Sequence, residues 1–185
     1  MEDRINVWSR HNSRRLIIQG LFAQLMNPLP EEQTIHNTIA SYKGRYETQY
    51  YQDAIRAILN DTAVYDSRIE PFLINMTIAE VTKVELCILR LGTYELLSRS
   101  DIPRPVIMNE AVKLARIFGA NASHKFINGV LDKLADQIRG DEPRYTRRDY
   151  LESRDNFRRE FNAADFGRRS SYSRRERDED DYDRE

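Results

Sequence analysis

The chain has 185 residues, of which 40% are hydrophobic and 32% are charged, and its formal net charge is −1. This length suits one domain with a sizeable core. The single cysteine, Cys87, excludes an internal disulfide framework and fits a reducing compartment. The N-terminal segment lacks the apolar run of a secretory signal, and no apolar stretch approaches the ~20 residues that cross a bilayer. We therefore expect a soluble, cytoplasmic protein without a membrane segment.

The near-neutral net charge hides two regions of different composition. Residues 141–185 contain twelve arginines, no lysine and fourteen acidic residues, which leaves 17 basic and 16 acidic residues in 1–140. The C-terminal region shows no apolar periodicity and cannot bury enough surface to offset its ordering entropy. We predict a folded domain over 1–140 and a disordered tail over 141–185. The arginines and aromatic residues of the tail suit contacts with RNA, whereas its acids equally favour a solvating or self-associating segment.

Apolar residues recur at helical spacing through the first half of the folded region. A first helix begins behind Ser13 as a candidate N-cap and ends before the Asn27-Pro28 break. A shorter helix is predicted over 31–42, and a third runs through 45–60 with aromatic residues at its start. The sequence Asn60-Asp61-Thr62 then breaks the chain and begins a fourth helix.

The second half contains the helix with the strongest pattern. Thr82 and Glu85 have the spacing of a capping box, and the residues that follow leave almost no polar face, which is typical of a central, buried helix. The next helix closes at Gly119 as its C-cap, and a last one runs from about Ser123 to Arg139. No segment alternates convincingly with a period of two. The sequence therefore predicts an all-α bundle of about seven helices.

No pattern of catalytic or metal-ligating residues is evident. The histidines at 11, 36 and 124 lie on different predicted helices, without cysteine or carboxylate at ligand spacing. Glycine-rich nucleotide loops and the nucleophile elbow are absent from the sequence. Cys87 lies in the most apolar helix, where a thiol usually acts as a small hydrophobic group. We expect a binding protein with no enzymatic activity, metal or cofactor.

Positive charge at the start of the first helix suggests a possible ligand. The helix dipole favours acidic residues at the N-terminus, so cations at that end are electrostatically unfavourable for the helix. An RNA phosphate would offset the repulsion, although simple solvation explains a few arginines equally well. The residues concerned are Arg10, His11, Arg14 and Arg15.

The start of the last helix, "SHKFINGVLDK", shows the same feature. Ser123 is a natural N-cap, and the cations His124 and Lys125 follow it in the first turn. Phe126 suits core packing better than stacking on a base, and Asn128 is available to a base edge or to a neighbouring backbone. Gly129 follows, and it predicts a close crossing by another helix because glycine is otherwise unfavourable inside a helix.

The sequence "ELCILRLGTYELLSRSDIPRPVIMNEAVKLARIFGANASHKFINGVLDKLADQI" resembles the C-terminal half of the NusB family of bacterial transcription antitermination factors. The motifs "ILRLGTYELL", "DIPRPVIMNEAVKLARIFG" and "SHKFINGVLDKL" carry the resemblance. "RRLIIQGLF" and "LNDTAVYDSRIEPFL" resemble the N-terminal half more loosely. The similarity covers about 9–139 and omits the tail.

The resemblance implies an all-α, NusB-like fold of two small packed subdomains, with no reaction catalysed and no cofactor. It also implies binding to boxA RNA of nascent ribosomal RNA transcripts, together with NusE, a small-subunit ribosomal protein. That complex would join the elongating RNA polymerase with NusA and NusG. The RNA surface predicted from the charge pattern and the resemblance consists of Arg10, His11, Arg14, Arg15, Arg104, Ser123, His124, Lys125, Phe126 and Asn128.

The chain departs from the family pattern at three places, and two alternative functions stay open. Ala122 stands where relatives commonly have an acid, and Pro105 where a lysine is frequent. The N-terminal arginine run, often denser in relatives, is interrupted here by His11, Asn12 and Ser13. Fewer fixed charges imply weaker phosphate binding by the folded domain, which the arginine-rich tail is a candidate to restore. One alternative is a protein-binding helical scaffold with little RNA affinity. The other is a stand-alone RNA-targeting domain related to that of ribosomal RNA cytosine methyltransferases, which would require a separate catalytic chain.

Overall fold

The computed structural model describes residues 7–142, and the predicted disordered tail lies almost entirely outside this range. Within it the chain forms seven α-helices, two short 3-10 turns and no strand, which confirms the all-α prediction. The helices are α1 (Val7–Met26), α2 (Glu31–Ala40), α3 (Thr48–Asn60), α4 (Thr62–Ile69), α5 (Lys83–Ser98), α6 (Arg104–Phe118) and α7 (Ser123–Arg139).

Helix α5 is the central element of the bundle. The hydroxyl of Thr82 caps it by accepting a hydrogen bond from the backbone N–H of Glu85, as the capping-box spacing predicted. Every residue of 86–96 is buried, and α5 packs against α1, α3, α4, α6 and α7. The expected central, buried helix is therefore present. Cys87 lies within it, and burial raises the pKa of its thiol to about 12.

The remaining helices form two groups that share α5. Helix α1 packs against α2 and α3, whereas α6 and α7 pack against each other and against α5. The apolar stripes of these helices form one continuous core. The described helices therefore form one compact unit around α5, and the two packed subdomains that the family resemblance implied stay a prediction.

The start of α1 differs from the prediction, since the helix already includes Val7 and Ser13 lies in its second turn. The hydroxyl of Ser13 donates to the carbonyl of Ser9 at 2.9 Å and accepts the backbone N–H of Glu47 at 2.7 Å. Serine makes such local bonds both at helix ends and inside helices, so its presence marked the wrong boundary. Here it ties α1 to the start of α3.

The close helix crossing predicted at Gly129 is also wrong. A methyl group built there would meet no atom within 4 Å, and the residue is exposed. The close approach instead occurs at Gly92 of α5, where such a group would lie 2.8 Å from Cδ1 of Leu131. Gly119 is the C-cap of α6 as predicted, and its N–H donates to the carbonyl of Ala115 at 2.8 Å.

Candidate nucleic-acid interface

Arg14 lies inside the protein, at the junction of α1, α5 and α6. Its side chain is 3% exposed, and its guanidinium pairs with Glu95 at 2.8 Å and with Glu110 at 3.4 Å. It also contacts the ring of Tyr50, 5.6 Å from the centroid. Burial disfavours the charge of Arg14, but the surrounding acidic groups outweigh this and raise its pKa. Arg14 therefore joins helices and presents no surface charge in this structure.

Arg10 is also neutralised, although it lies closer to the surface. Its Nε donates to Glu47 at 2.9 Å, and its Nη1 lies 3.4 Å from Asp101. The hydrogen bond to Glu47 is the main reason that the pKa of Arg10 is raised. A cleft of about 180 Å³ opens beside Arg10 and contains both acidic and basic side chains. Its lining residues are Arg10, Arg14, Asp101, Ile102, Pro103, Val106 and Glu110.

His11 joins α1 to α6 through Glu110. Its Nδ1 lies 2.6 Å from one carboxylate oxygen of Glu110, and Nζ of Lys113 lies 2.8 Å from the other. Burial alone would raise the pKa of Glu110, but the hydrogen bond from His11 and the charges of Arg14 and Lys113 lower it to about 2. Glu110 is therefore an anion at neutral pH, and it fixes the start of α1 against the middle of α6.

Arg15 follows His11 by four residues and so lies on the same face of α1. Its side chain is half-buried, and no carboxylate oxygen of the described residues lies within 4.0 Å of its guanidinium nitrogens, the limit for an ion pair. The Nε atom is buried without a hydrogen-bond partner among the described residues. Arg15 therefore keeps a charge that the folded domain does not neutralise.

Arg104 has a structural position at the other end of α6. It is 1% exposed, and its guanidinium pairs with Asp132 at 2.7 Å and with Asp136 at 2.9 Å. The first residue of α6 is thus tied to the second half of α7. The guanidinium of Arg104 therefore lies beside Asp132, nine residues or about 14 Å along α7 from the start of that helix.

The start of α7 is basic, as predicted, but its cap is different. Ala122 is the N-cap residue, so the prediction that Ser123 occupies this position is wrong. Ser123 is buried and accepts the backbone N–H of Ala120 at 3.0 Å, which holds the preceding turn. His124 is half-buried, Lys125 is exposed, and the first turn contains no acid.

The next residues of α7 divide between core and surface. Phe126 packs against the core, in agreement with the preference stated for it, and Asn128 is exposed. Lys133, two turns beyond Lys125, is exposed as well. The two carboxylates nearest to Lys133 on this helix, Asp132 and Asp136, bind the buried Arg104. The outer face of α7 is therefore more basic than its composition indicates.

Helix α6 connects the start of α1 to the start of α7. From Glu110, where His11 is bound, Lys113 and Arg116 follow by three and six residues, about 4.5 and 9 Å along the axis. The four residues 119–122 then lead directly into α7. We call the resulting surface the basic face, and it comprises His11, Arg15, Lys113, Arg116, His124 and Lys125.

Two of these six residues, Lys113 and Arg116, are absent from the predicted surface. Both lie on the side of α6 away from its apolar stripe, so their helical spacing was a usable signal. The loop before α3 was not predicted either, and there the side chain of Asn12 donates to the carbonyl of Arg45 at 2.9 Å. This bond places the exposed Lys43 and Arg45 beside α1.

The described residues thus form an all-α protein with a basic face built from three helices. Within 7–142, no three histidine, cysteine or acidic side chains are grouped so that they could hold a metal ion. No helix in the same range combines the length and apolar character needed to span a membrane.

Comparison with known proteins identifies the family. The sequence model described as "NusB family" matches residues 11–136, and the chain therefore belongs to the NusB family of transcription antitermination proteins. It is 39% identical over 135 residues to the transcription antitermination protein NusB of Pseudoalteromonas atlantica, covering 72% of this chain and 96% of that protein.

Solved structures show the same fold. NusB of T. maritima has a TM-score of 0.63 and 29% identity, with 69% of this chain and 91% of that chain covered. A second structure, of the antitermination factors NusB and NusE in complex with dsRNA, has a TM-score of 0.64 and 20% identity, with 71% and 99% covered. At this lower identity the second likeness concerns the fold alone.

Proposed function

We propose that this protein is a cytoplasmic antitermination factor that binds boxA RNA of nascent ribosomal RNA transcripts together with NusE. The bound complex would join the elongating RNA polymerase with NusA and NusG. The observation that carries the proposal is the series of cations along α1, α6 and the start of α7, in which the contact of His11 with Glu110 joins α1 to α6, in a member of the NusB family. A solved relative that contains NusB, NusE and RNA supports it.

The accessible residues of the predicted RNA surface are proposed as the direct contacts. Lys125 and Arg15 would bind phosphate oxygens, since neither has a carboxylate partner among the described residues. Their contacts would supply affinity and would not select a sequence. Asn128, exposed one turn beyond Lys125, would bind a base edge. His11 and His124 would add hydrogen-bond donors.

The other predicted residues are proposed to hold the RNA surface in shape. Arg14 and Arg104 are buried in ion pairs, and Ser123 fixes the turn before α7. Phe126 anchors the same turn to the core. Arg10, bound to Glu47 and Asp101, would reach RNA only by exchanging these partners. The removal of these residues should lower RNA binding through the fold.

Fluorescence anisotropy with labelled RNA tests the proposal directly. A boxA-type RNA and a scrambled RNA of the same length are titrated with the full chain, with and without NusE, at two salt concentrations. We expect preferential binding that NusE strengthens and that weakens steeply as salt rises, because each phosphate contact releases counterions. Binding to NusE without RNA preference in any combination would instead identify a protein-binding scaffold.

The control for a specific surface is a pair of lysine variants. Lys125→Ala removes a charge from the basic face, whereas Lys83→Ala removes an exposed lysine whose Nζ lies 3.3 Å from the carbonyl of Leu25. That position is near the end of α1, about 21 Å along the helix from His11. We expect Lys125→Ala to reduce affinity and the salt slope, and Lys83→Ala to leave both unchanged. Equal effects would show that net charge, and not this face, determines binding.

A further inference from the structure

The segment that connects α2 to α3, residues 41–47, is held against α1 by two adjacent residues of that helix. The side chain of Asn12 donates to the carbonyl of Arg45 at 2.9 Å. The hydroxyl of Ser13 accepts the backbone N–H of Glu47 at 2.7 Å. The second half of the connecting segment therefore has a fixed position beside the second turn of α1.

The same segment is also anchored from the side of the core. Tyr42 and Tyr46 pack against the core, and their ring centroids are 6.0 Å apart. A methyl group built at Gly44 would overlap the hydroxyl and the ring of Tyr42, so the backbone of Gly44 lies directly against that side chain. The three residues 43–45 between the two tyrosines are therefore held at both ends. We call residues 43–45 the basic loop.

The basic loop carries two cations that the described part of the chain does not neutralise. Lys43 and Arg45 are exposed, and no carboxylate oxygen of the described residues lies within 4.0 Å of their side-chain nitrogens. The nearest acidic residue in sequence, Glu47, is already bound by Nε of Arg10 at 2.9 Å. A charge of +2 is thus concentrated on three residues whose backbone is fixed.

The exposed side of α1 lies between the basic loop and α6. Successive residues of an α-helix are about 100° apart around its axis, so Arg15 lies about 40° from His11 in one direction and about 60° from Asn12 in the other. His11 binds Glu110 of α6, whereas Asn12 binds the basic loop. The cations of α6, Arg15 and the basic loop therefore follow one another across the exposed side of α1.

We propose that the basic loop binds the phosphates of RNA that flanks the boxA segment, and that Asn12 positions the loop for this contact. The inference rests on the proposed function, because it extends the same RNA across α1. A phosphate backbone suits this series better than a compact acidic partner, since its charges recur regularly along a strand. Because the loop is already fixed, little ordering entropy is lost on binding. Phosphate contacts add affinity without selecting a sequence, so the loop would strengthen binding and leave the preference for boxA unchanged.

Fluorescence anisotropy with two RNAs tests the loop. One RNA is a boxA-type segment alone, and the other is the same segment with a flank of uridines at each end. Lys43→Ala/Arg45→Ala should lower the affinity of the full chain for the flanked RNA by about 3- to 10-fold. The salt slope should fall by about 1.4, since each phosphate contact on a single strand contributes about 0.7. Neither quantity should change for the boxA-type segment alone, and an equal loss with both RNAs would overturn the assignment to the flanks.

The matched control removes one arginine and one lysine elsewhere. Arg68 and Lys83 are exposed, and Nζ of Lys83 lies 3.3 Å from the carbonyl of Leu25, about 20 Å along α1 from Asn12. Arg68→Ala/Lys83→Ala should leave the affinity for the flanked RNA and its salt slope unchanged. An equal loss in the two double variants would show that net charge determines binding, and it would overturn the proposal.

Asn12→Ala tests the positioning of the loop without a change in charge. This variant should lower the affinity for the flanked RNA in the natural chain. It should have no further effect when Lys43 and Arg45 are already alanine, because the two changes act on the same contact. A loss of the same size in both backgrounds would overturn the positioning role of Asn12.

The outcomes separate this inference from the proposed function. A chain that prefers the boxA-type segment to a scrambled one, but gains equally from the flanks with and without the loop cations, would overturn the inference and leave the function standing. A chain without that preference, whose binding to flanked RNA still depends on the loop, would support the phosphate site and contradict the function. A loop variant that weakens the binding of NusE and leaves RNA binding unchanged would identify a protein partner and overturn the inference.

Discussion

The guanidinium of Arg14 and the carboxylate of Glu95 form a buried ion pair, with 2.8 Å between Nη2 and Oε1 and side chains that are 3% and 2% exposed. The hydroxyl of Tyr50 donates to the same carboxylate oxygen at 2.5 Å. One acidic group of the central helix thus binds both α1 and α3. Arg14 also pairs with Glu110, which in turn binds His11 of the same helix. The position of α1 on the bundle therefore depends on the Arg14–Glu95 pair.

The first prediction concerns this pair. Arg14→Ala leaves Glu95 buried without its cation, and breaking a buried pair by removing one partner typically costs about 3–5 kcal/mol. The unfolding free energy, measured by urea denaturation, should fall by that amount. Arg15→Ala, one position away and half-buried, should change it by only about 0.5 kcal/mol. A small effect at both positions would contradict the structural role of Arg14.

Glu110 predicts a specific dependence of stability on pH. Its pKa is lowered from 4.5 to about 2 in the folded protein, so the folded state binds this proton less readily than the unfolded chain. The resulting stabilisation is present above pH 4.5 and is lost as the pH falls from about 4.5 to 2. Glu110→Gln should be less stable than the natural protein at pH 6 and nearly equal to it at pH 2. Parallel stability curves for the two proteins, measured by urea denaturation across this range, would contradict the assignment.

The burial of two arginines could have been predicted from helical spacing, but their partners could not. Arg14 is followed by Ile17, Ile18 and Leu21, which places it on the apolar stripe of α1 at intervals of three, four and seven. Arg104 has the same relation to Ile107, Met108 and Ala111 on α6. An arginine on such a stripe is buried and needs an acid. The acidic partners lie at least 81 residues away for Arg14 and at least 28 for Arg104, and only the tertiary fold brings them together.

Local patterns predicted the helices and misplaced some of their details. The N-cap at Thr82 and the C-cap at Gly119 agree with the structure because both depend on neighbouring residues alone. The prediction of Ser13 as an N-cap was wrong because serine forms the same local hydrogen bonds within a helix. The prediction of a helix crossing at Gly129 was wrong because the sequence does not distinguish an exposed glycine from a glycine at a crossing. Four of the six residues of the basic face belong to the predicted surface, and Lys113 and Arg116 do not, since the link through α6 depends on the contact between His11 and Glu110.

The two helical glycines predict opposite responses to alanine. Gly92→Ala places a methyl group 2.8 Å from Cδ1 of Leu131, which is fully buried and has little room to move. Overpacking of this kind typically costs about 1–3 kcal/mol. Gly129→Ala meets open space and should stabilise the protein by roughly 1 kcal/mol, because alanine favours the helix interior. Thermal unfolding of both variants measures the contrast, and destabilisation by Gly129→Ala would contradict the open surroundings of this residue.

Arg104 provides a prediction that separates a role in the fold from contact with RNA. Its guanidinium is buried, but its partners Asp132 and Asp136 are 48% and 34% exposed, so water can solvate them when the arginine is removed. Arg104→Met, which keeps much of the volume and removes the charge, should therefore cost only about 1–3 kcal/mol. Lys133→Ala, an exposed position on the same helix, should change stability by only about 0.5 kcal/mol.

RNA titration of the same variant completes the test. At a temperature well below its unfolding transition, Arg104→Met should bind boxA-type RNA with the affinity and salt slope of the natural chain, since the Arg104 side chain is 1% exposed and lies about 14 Å along α7 from the start of that helix. Lys125→Ala, measured in parallel, should lower both quantities while leaving the unfolding free energy nearly unchanged. A reduced salt slope for a fully folded Arg104→Met would mean that Arg104 leaves its aspartates to bind phosphate. In that case α6 and α7 would have to rearrange when RNA binds, because both aspartates belong to the second half of α7.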